Sequence, residues 1–250
     1  MTIALSLEQF WHSPARQLLA YPKGDESSLA DRWDELQAYG IDIIYSHGSE
    51  PLAGLKILGL GYCGVVLRVR QQGKDRVLKI LRKPSPHKSL SMEADMLMRA
   101  NTVGVGPNCI AHSDNFLLMD YVDGPLLMNW LPEHQSIEAI YQIVFKLIHQ
   151  AYQLDYIGVD HGDLRCITSH AFVQAKSPIL IDFSSASLNR RPANVTTLVQ
   201  GMFISTYIAK LLHPWFPRID KSELIKLLRQ YKLQPSMVHL RSLLKYLGLA

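Results

Sequence analysis

Two stretches of this chain carry residue types and spacings that suit phosphate chemistry. The first is Gly59-Leu60-Gly61-Tyr62-Cys63-Gly64-Val65-Val66, which fits G-x-G-x-x-G-x-V at every fixed position through Val66, followed by Val77-Leu78-Lys79-Ile80. Leu55 to Leu58 and Val65 to Arg70 read as strands on either side of the glycines. Strand, turn and strand exclude the dinucleotide-binding arrangement, which needs a helix directly after the glycines. They suit a flap that lays backbone N–H groups over the phosphates of a nucleotide, and a side chain at Gly59, Gly61 or Gly64 would hold that backbone away. The second stretch is Asp160-His161-Gly162-Asp163-Leu164-Arg165, followed by Ile179-Leu180-Ile181-Asp182-Phe183. A short apolar strand here delivers Asp182 at its end, as a metal-binding carboxylate is presented; Mg²⁺ takes one or two carboxylates and completes its shell with water and phosphate oxygens. Asp163, in the preceding loop, can accept or orient the proton of an attacking hydroxyl. Arg165 stands two residues further on, either steadying a transferring phosphoryl group or lying at the surface. His161 reads as a core histidine that locks the loop by hydrogen bonding.

These residues need elements to hold them. Lys79 sits in an apolar, alternating run, where an ammonium is expensive to bury unless an anion or carboxylate meets it. A helix from Ser91 to about Ala100, started by Ser89 or Ser91, carries Glu93 fourteen residues after Lys79. Glu93 is the expected partner and Asp95 its rival; the alternative role for Glu93 is a first-turn carboxylate favoured by the helix dipole. Gly104 to Pro107 breaks the chain. Phe116 to Asp120 reads as a buried strand running into a polar turn, where main-chain groups near Met119, Asp120 and Val122 can read an adenine. From Pro132 the pattern turns helical, with Ile137, Ile140, Val144, Leu147 and Ile148 at helical steps up to Gly158. Helices are expected over Leu198 to Leu212, Lys221 to Tyr231 and Pro235 to Leu247, and the basic turn Asn189 to Pro192 reads as a solvated loop. Residues 1 to 50 carry none of the motifs; short helix broken at Pro14, a helix from Asp25 to Gly40 and a strand at Ile41 to Tyr45 read as an extension packing on the next lobe.

Composition narrows the classes. A chain of 250 residues, 48% hydrophobic and 19% charged, is long enough for one domain or two small lobes. The net charge of +4 is spread along the chain without a Lys/Arg block, which argues against a nucleic-acid partner. Cys63, Cys109 and Cys166 are odd in number and far apart, as expected of small buried residues in a reducing compartment. No apolar stretch reaches the length of a membrane span and no leader pattern opens the chain, so the expectation is a cytoplasmic protein with no membrane partner.

The ordered set Gly59/Gly61/Gly64, Lys79, Glu93, Met119 to Val122, His161-Gly162-Asp163-Leu164 and Ile181-Asp182-Phe183 resembles the protein-kinase-like superfamily over roughly residues 52 to 190. Within it, His-Gly-Asp and the compact chain look like the small atypical kinases, such as the RIO kinases and the predicted serine/threonine kinases of archaea and cyanobacteria. The resemblance implies an α+β, two-lobed fold: an antiparallel sheet lobe with one helix over 51–123 and a reduced, mainly helical lobe over 124–250, with ATP and Mg²⁺, or Mn²⁺, in the cleft. It also implies the roles: the glycines cover the phosphates, Lys79 braced by Glu93 grips them, Asp182 binds metal, and Asp163 orients a hydroxyl. The implied activity is phosphoryl transfer to serine or threonine of an unidentified protein. Small-molecule acceptors stay open, because sugar and aminoglycoside phosphotransferases also carry His-Gly-Asp. Thr168 stands where the common kinase pattern has a metal-binding asparagine; with two residues inserted, His170 takes that position, although imidazole is softer than Mg²⁺ prefers. A non-catalytic nucleotide-binding scaffold is therefore the alternative. Ser184 replaces the glycine of Asp-Phe-Gly, and the 68 residues after Asp182 leave little room for a long activation segment.

Overall fold

The computed structural model describes residues 3–85, 89–133 and 136–250 as an α+β chain in two compact units. The first unit comprises 1–95 and 108–121, and the second 96–107 and 122–250. The motif order groups 51–123 together. Instead, residues 96–107 belong with the second unit, and the division falls inside a helix.

In chain order the first unit runs β1 (Ile3–Ser6), α1 (Leu7–Trp11), a 3₁₀ turn (Pro14–Ala20), α2 (Glu26–Ala38), β2 (Ile41–Ser46), β3 (Glu50–Leu52), β4 (Leu55–Ile57), β5 (Gly59–Leu60), β6 (Gly64–Gln71) and β7 (Lys74–Leu81). It continues into α3 (Ser91–Asn101), then β8 (Cys109–His112) and β9 (Phe116–Asp120). One antiparallel sheet runs in the order β1-β2-β6-β7-β9-β8, with β5 pairing the front half of β6. Side chains alternate between its faces. Val65, Leu67, Val69, Leu78, Ile80, Phe116 and Leu118 share one buried core with Phe10, Leu18, Leu19, Leu29 and Leu36. The intervening residues, Val66, Val77, Lys79, Leu117 and Met119, therefore line the opposite face, with Val66 directly across from Lys79 and Val77 across from Met119.

Residues 1–50 are more than an extension resting on a sheet. β1 and β2 are two of its strands, because Ile41 to Tyr45 pair with Gln71 to Arg68. The helices between them cover one face. Asp25 caps α2 by accepting from the Ser28 N–H at 2.8 Å. The fully buried Arg32 then donates to the carbonyls of Leu19 at 2.5 Å and Leu81 at 2.6 Å, and to Asn115 Oδ1 at 3.0 Å. One guanidinium thus ties the first forty residues to the end of β7.

The second unit continues with α4 (Leu127–Glu133), α5 (Ile137–Tyr156), a 3₁₀ turn (Leu164–Cys166), α6 (Ile167–His170), β10 (Ala171–Gln174) and β11 (Ser177–Leu180). Next come α7 (Asn194–Gln200), a π turn (Gly201–Ser205), α8 (Tyr207–Leu212), α9 (Lys221–Leu233) and α10 (Met237–Tyr246). The twenty-residue α5 buries the stripe Ile140, Ile143, Val144, Leu147, Ile148, Ala151 and Leu154, and Gly158, at φ +78°, turns the chain out of it. The β10–β11 hairpin is antiparallel and delivers Asp182 two residues past its end. The continuous helix expected over Leu198 to Leu212 is broken instead. Gly201 presses against the Arg165 carbonyl so closely that a Cβ would lie 2.6 Å from it, the backbone widens into the π turn, and Thr206 is extended before α8 begins.

Candidate functional site

The predicted site residues fall into two groups, one in each unit. In the first, the β5–β6 hairpin turns through Gly61 to Gly64, closed by the Gly61 N–H to the Gly64 carbonyl at 2.9 Å. Tyr62 is exposed at its tip and Cys63 buried beneath. The three glycines are not equivalent. A Cβ on Gly64 would lie 2.9 Å from the Ile80 carbonyl and 3.1 Å from Lys79 Cγ, whereas one on Gly59 meets nothing and one on Gly61 only an ordinary contact. Gly64 is therefore needed to let the Lys79 stem pass under the flap. Lys79 and Glu93 are each 7% exposed, and Lys79 Nζ reaches both carboxylate oxygens of Glu93, at 2.7 and 2.8 Å. Glu93, not Asp95, is the partner. The two-pronged contact satisfies the desolvated ammonium while leaving it on the same sheet face as Val66 and Met119.

At the end of β9 the expected adenine-reading turn is partly occupied. The Asp120 N–H donates to the Asn108 carbonyl at 3.0 Å, and its carboxylate pairs with Arg76 and accepts from Asn108 Nδ2 at 2.7 Å. Asp120 thus has a structural role, and the main chain beyond it passes to Val122, the first residue of the second unit's longer segment. Beside it Arg68 lies over the Tyr121 ring at 4.4 Å and pairs with Asp75 at 2.5 Å.

In the second unit the chemistry gathers round His161, which is fully buried. Its Nε2 stands 3.2 Å from the Ile181 carbonyl, so that nitrogen carries the proton, and its ring packs on Phe183 at 4.8 Å. Burial, then the neighbouring His170, push its pKa down to about 4, while Asp182 and Asp163 pull the other way. A neutral His161 therefore fastens the Asp163 loop to the strand that delivers Asp182. Asp163 opens the 3₁₀ turn at φ −118°, ψ 11°, and its carbonyl accepts from the Cys166 N–H at 3.0 Å. Arg165 is exposed, its backbone seated on Gly201. Asp182 has φ +65°, a left-handed conformation that non-glycine residues adopt sparingly and that clusters at functional sites. Its Oδ1 accepts from the Ser184 N–H at 3.3 Å.

Asp182 suits Mg²⁺, whose oxygen-rich shell needs one or two protein carboxylates. His170 fits less well. Its ring lies 6.1 Å from His161 and its Nδ1 is buried without a hydrogen-bond partner among the described residues. Among the described residues no three His, Cys, Asp or Glu side chains converge on one point.

Two supporting residues escaped the sequence. Asn194, at the start of α7, accepts from the His161 N–H at 2.9 Å and donates to the Val159 carbonyl at 2.7 Å and to Asp155 at 2.8 Å. Asp155 in turn accepts from the Asn194 and Val195 N–H groups and the Tyr231 hydroxyl; burial nevertheless pushes its carboxyl pKa up. Nothing local in the sequence marks Asn194, whose partners lie 33 to 39 residues away. The basic turn is an exposed loop, as expected, but its arginines are tied back to the chain. Arg190 donates to Asp160 at 2.7 Å and the Ser185 carbonyl at 2.5 Å, and Arg191 to the Lys232 and Leu233 carbonyls at the end of α9. Of the cysteines, Cys63 is buried as expected, whereas Cys109 is half-buried and Cys166 exposed.

No protein-family model matches the chain, and no curated protein matches it either. Among the described residues no helix is long and apolar enough to cross a membrane.

Proposed function

We propose that this protein is an ATP-dependent kinase of the two-lobed, protein-kinase-like type, transferring the γ-phosphoryl group to a serine or threonine hydroxyl of a protein. The observation that carries this reading is the buried Lys79–Glu93 pair on the sheet face beneath a glycine hairpin. A buried ammonium braced from one side by a carboxylate is suited to meet the phosphates of a nucleotide from the other. Further support comes from Asp182 in its left-handed conformation and from a neutral histidine clamping the loop of Asp163.

In this reading Lys79 neutralises phosphate charge, the flap's N–H groups bind phosphate oxygens, and Asp163 accepts the proton of the acceptor hydroxyl. The hydroxyl oxygen forms the new bond to the γ-phosphorus, the bond to the bridging oxygen breaks, and ADP leaves. Mg²⁺, held by Asp182 and phosphate oxygens, would supply charge neutralisation. The activity therefore rests on positioning and electrostatics.

Incubation with γ-labelled ATP and Mg²⁺ or Mn²⁺, beside Asp163→Asn and Asp182→Asn, tests it. Asparagine keeps the size of each side chain and tolerates the backbone of residue 182. Label transfer or ATP hydrolysis should fall by about a hundredfold or more in both variants, at unchanged melting temperature. Binding of ATP without turnover above the variants would favour the non-catalytic scaffold; no ATP binding would end the assignment of the flap.

A further inference from the structure

The break between α7 and α8 opens a surface cavity of about 690 Å³ in the second unit, lined by Phe203, Ser205, Tyr207, Lys210, His213 and Lys221 among others. Its floor is apolar, since Phe203 is buried, while its rim holds the exposed Lys210, His213 and Lys221. Among the described residues lining it there is no carboxylate. The acidic groups next in sequence are engaged elsewhere. Asp220 accepts from the Glu223 N–H at 2.8 Å and the Ser222 hydroxyl at 2.5 Å, and Glu223 pairs with Lys226 at 2.9 Å. The lining hydroxyls of Ser205 and Thr206 are spent on the Gln200 and Gly201 carbonyls. Three basic side chains and one tyrosine are left facing outward from this trough.

The trough lies beside the Asp163 loop through Gly201, which packs on the Arg165 carbonyl and whose own carbonyl accepts from the hydroxyl of Thr206, a residue lining the cavity, at 2.7 Å. We propose that this trough docks acidic side chains flanking the target serine or threonine of the protein acceptor. The inference rests on the phosphoryl-transfer reading for its purpose, not for its chemistry. A small metabolite is the poorer occupant, because such ligands are largely enclosed by their sites and this rim lies open to solvent. Long lysine stems reaching out from an open rim suit an extended chain bearing several carboxylates, read as point charges.

The test measures binding of fluorescein-labelled peptides with a central serine flanked by Asp and Glu, by neutral residues, or by Lys, using fluorescence anisotropy at low and high salt. The acidic peptide should bind at least about tenfold more tightly than the neutral one, and lose that advantage in Lys210→Glu/Lys221→Glu and at high salt. The charge-reversed variant should instead gain affinity for the Lys peptide, which a merely unfolded variant would not. Equal binding of all three peptides overturns the proposal, as does displacement of the acidic peptide by millimolar inorganic phosphate, which would mark a small-anion site. Acidic-peptide binding by a wild type that consumes no ATP would support the trough while rejecting the kinase reading. ATP consumption without acidic preference would do the reverse.

Discussion

Lys79 and Glu93 satisfy each other at a site where burying either charge is costly, and the energetics of that pair can be measured. Removing one partner from a buried ion pair costs about 3–5 kcal/mol, because it strands the other charge, whereas replacing both by apolar residues is often close to neutral. Lys79→Met should therefore lower the melting temperature by several degrees, and Lys79→Met/Glu93→Leu should recover most of that loss while remaining unable to bind ATP tightly. A double variant no more stable than the single one would show that the pair is not the stabilising unit. His161 makes a second prediction at this scale. Its ring titrates near 6.5 when unfolded and near 4 when folded, so between those values the unfolded chain binds the extra proton. Stability must fall as pH drops through that window, by at most roughly 3 kcal/mol, and level off below it. Denaturant titrations from pH 7 to pH 4 should show this limb in the wild type and lack it in His161→Asn.

At the scale of elements, the glycine hairpin separates residues that a sequence pattern treats alike. Gly64→Ala forces a methyl group against the Ile80 carbonyl and the Lys79 stem and should cost about 1–3 kcal/mol, with weaker nucleotide binding. Gly59→Ala, with nothing within 4 Å of the new atom, should stay within about 0.5 kcal/mol. Thermal melts of the two variants side by side decide it. The same contrast explains which features can be read from sequence. The flap, the Lys79 strand, the Glu93 helix and the strand ending before Asp182 are legible because each is set by local spacing: period two in β6 and β7, a serine start before α3, an apolar run from Pro178 to Ile181. The broken helix at 201–206 is not, because its cause is the Arg165 carbonyl, distant in sequence. β1 and β8 escape for a related reason. Each has only four residues, and each exists because a neighbouring strand offers it an edge. Asn194 and Arg190 likewise act through partners about thirty residues away, beyond any spacing rule.

For the whole molecule, the first forty residues are part of the architecture. A chain lacking residues 1–40 would lose β1, Arg32 and the helices over Val65, Leu67, Val69, Leu78, Ile80, Phe116 and Leu118. Such an exposed apolar face, seven side chains wide, promotes association. The truncated protein should bind a hydrophobic dye strongly and sediment as aggregates, and a monomeric, dye-silent product would contradict this packing. The division of the chain has its own consequence. Residues 96–107 lie between two segments of the first unit yet belong to the second, where Gly106 is wedged against Leu97 and Phe183. Neither unit is an uninterrupted length of polypeptide, so no single crossover in a gene could exchange one for a foreign counterpart.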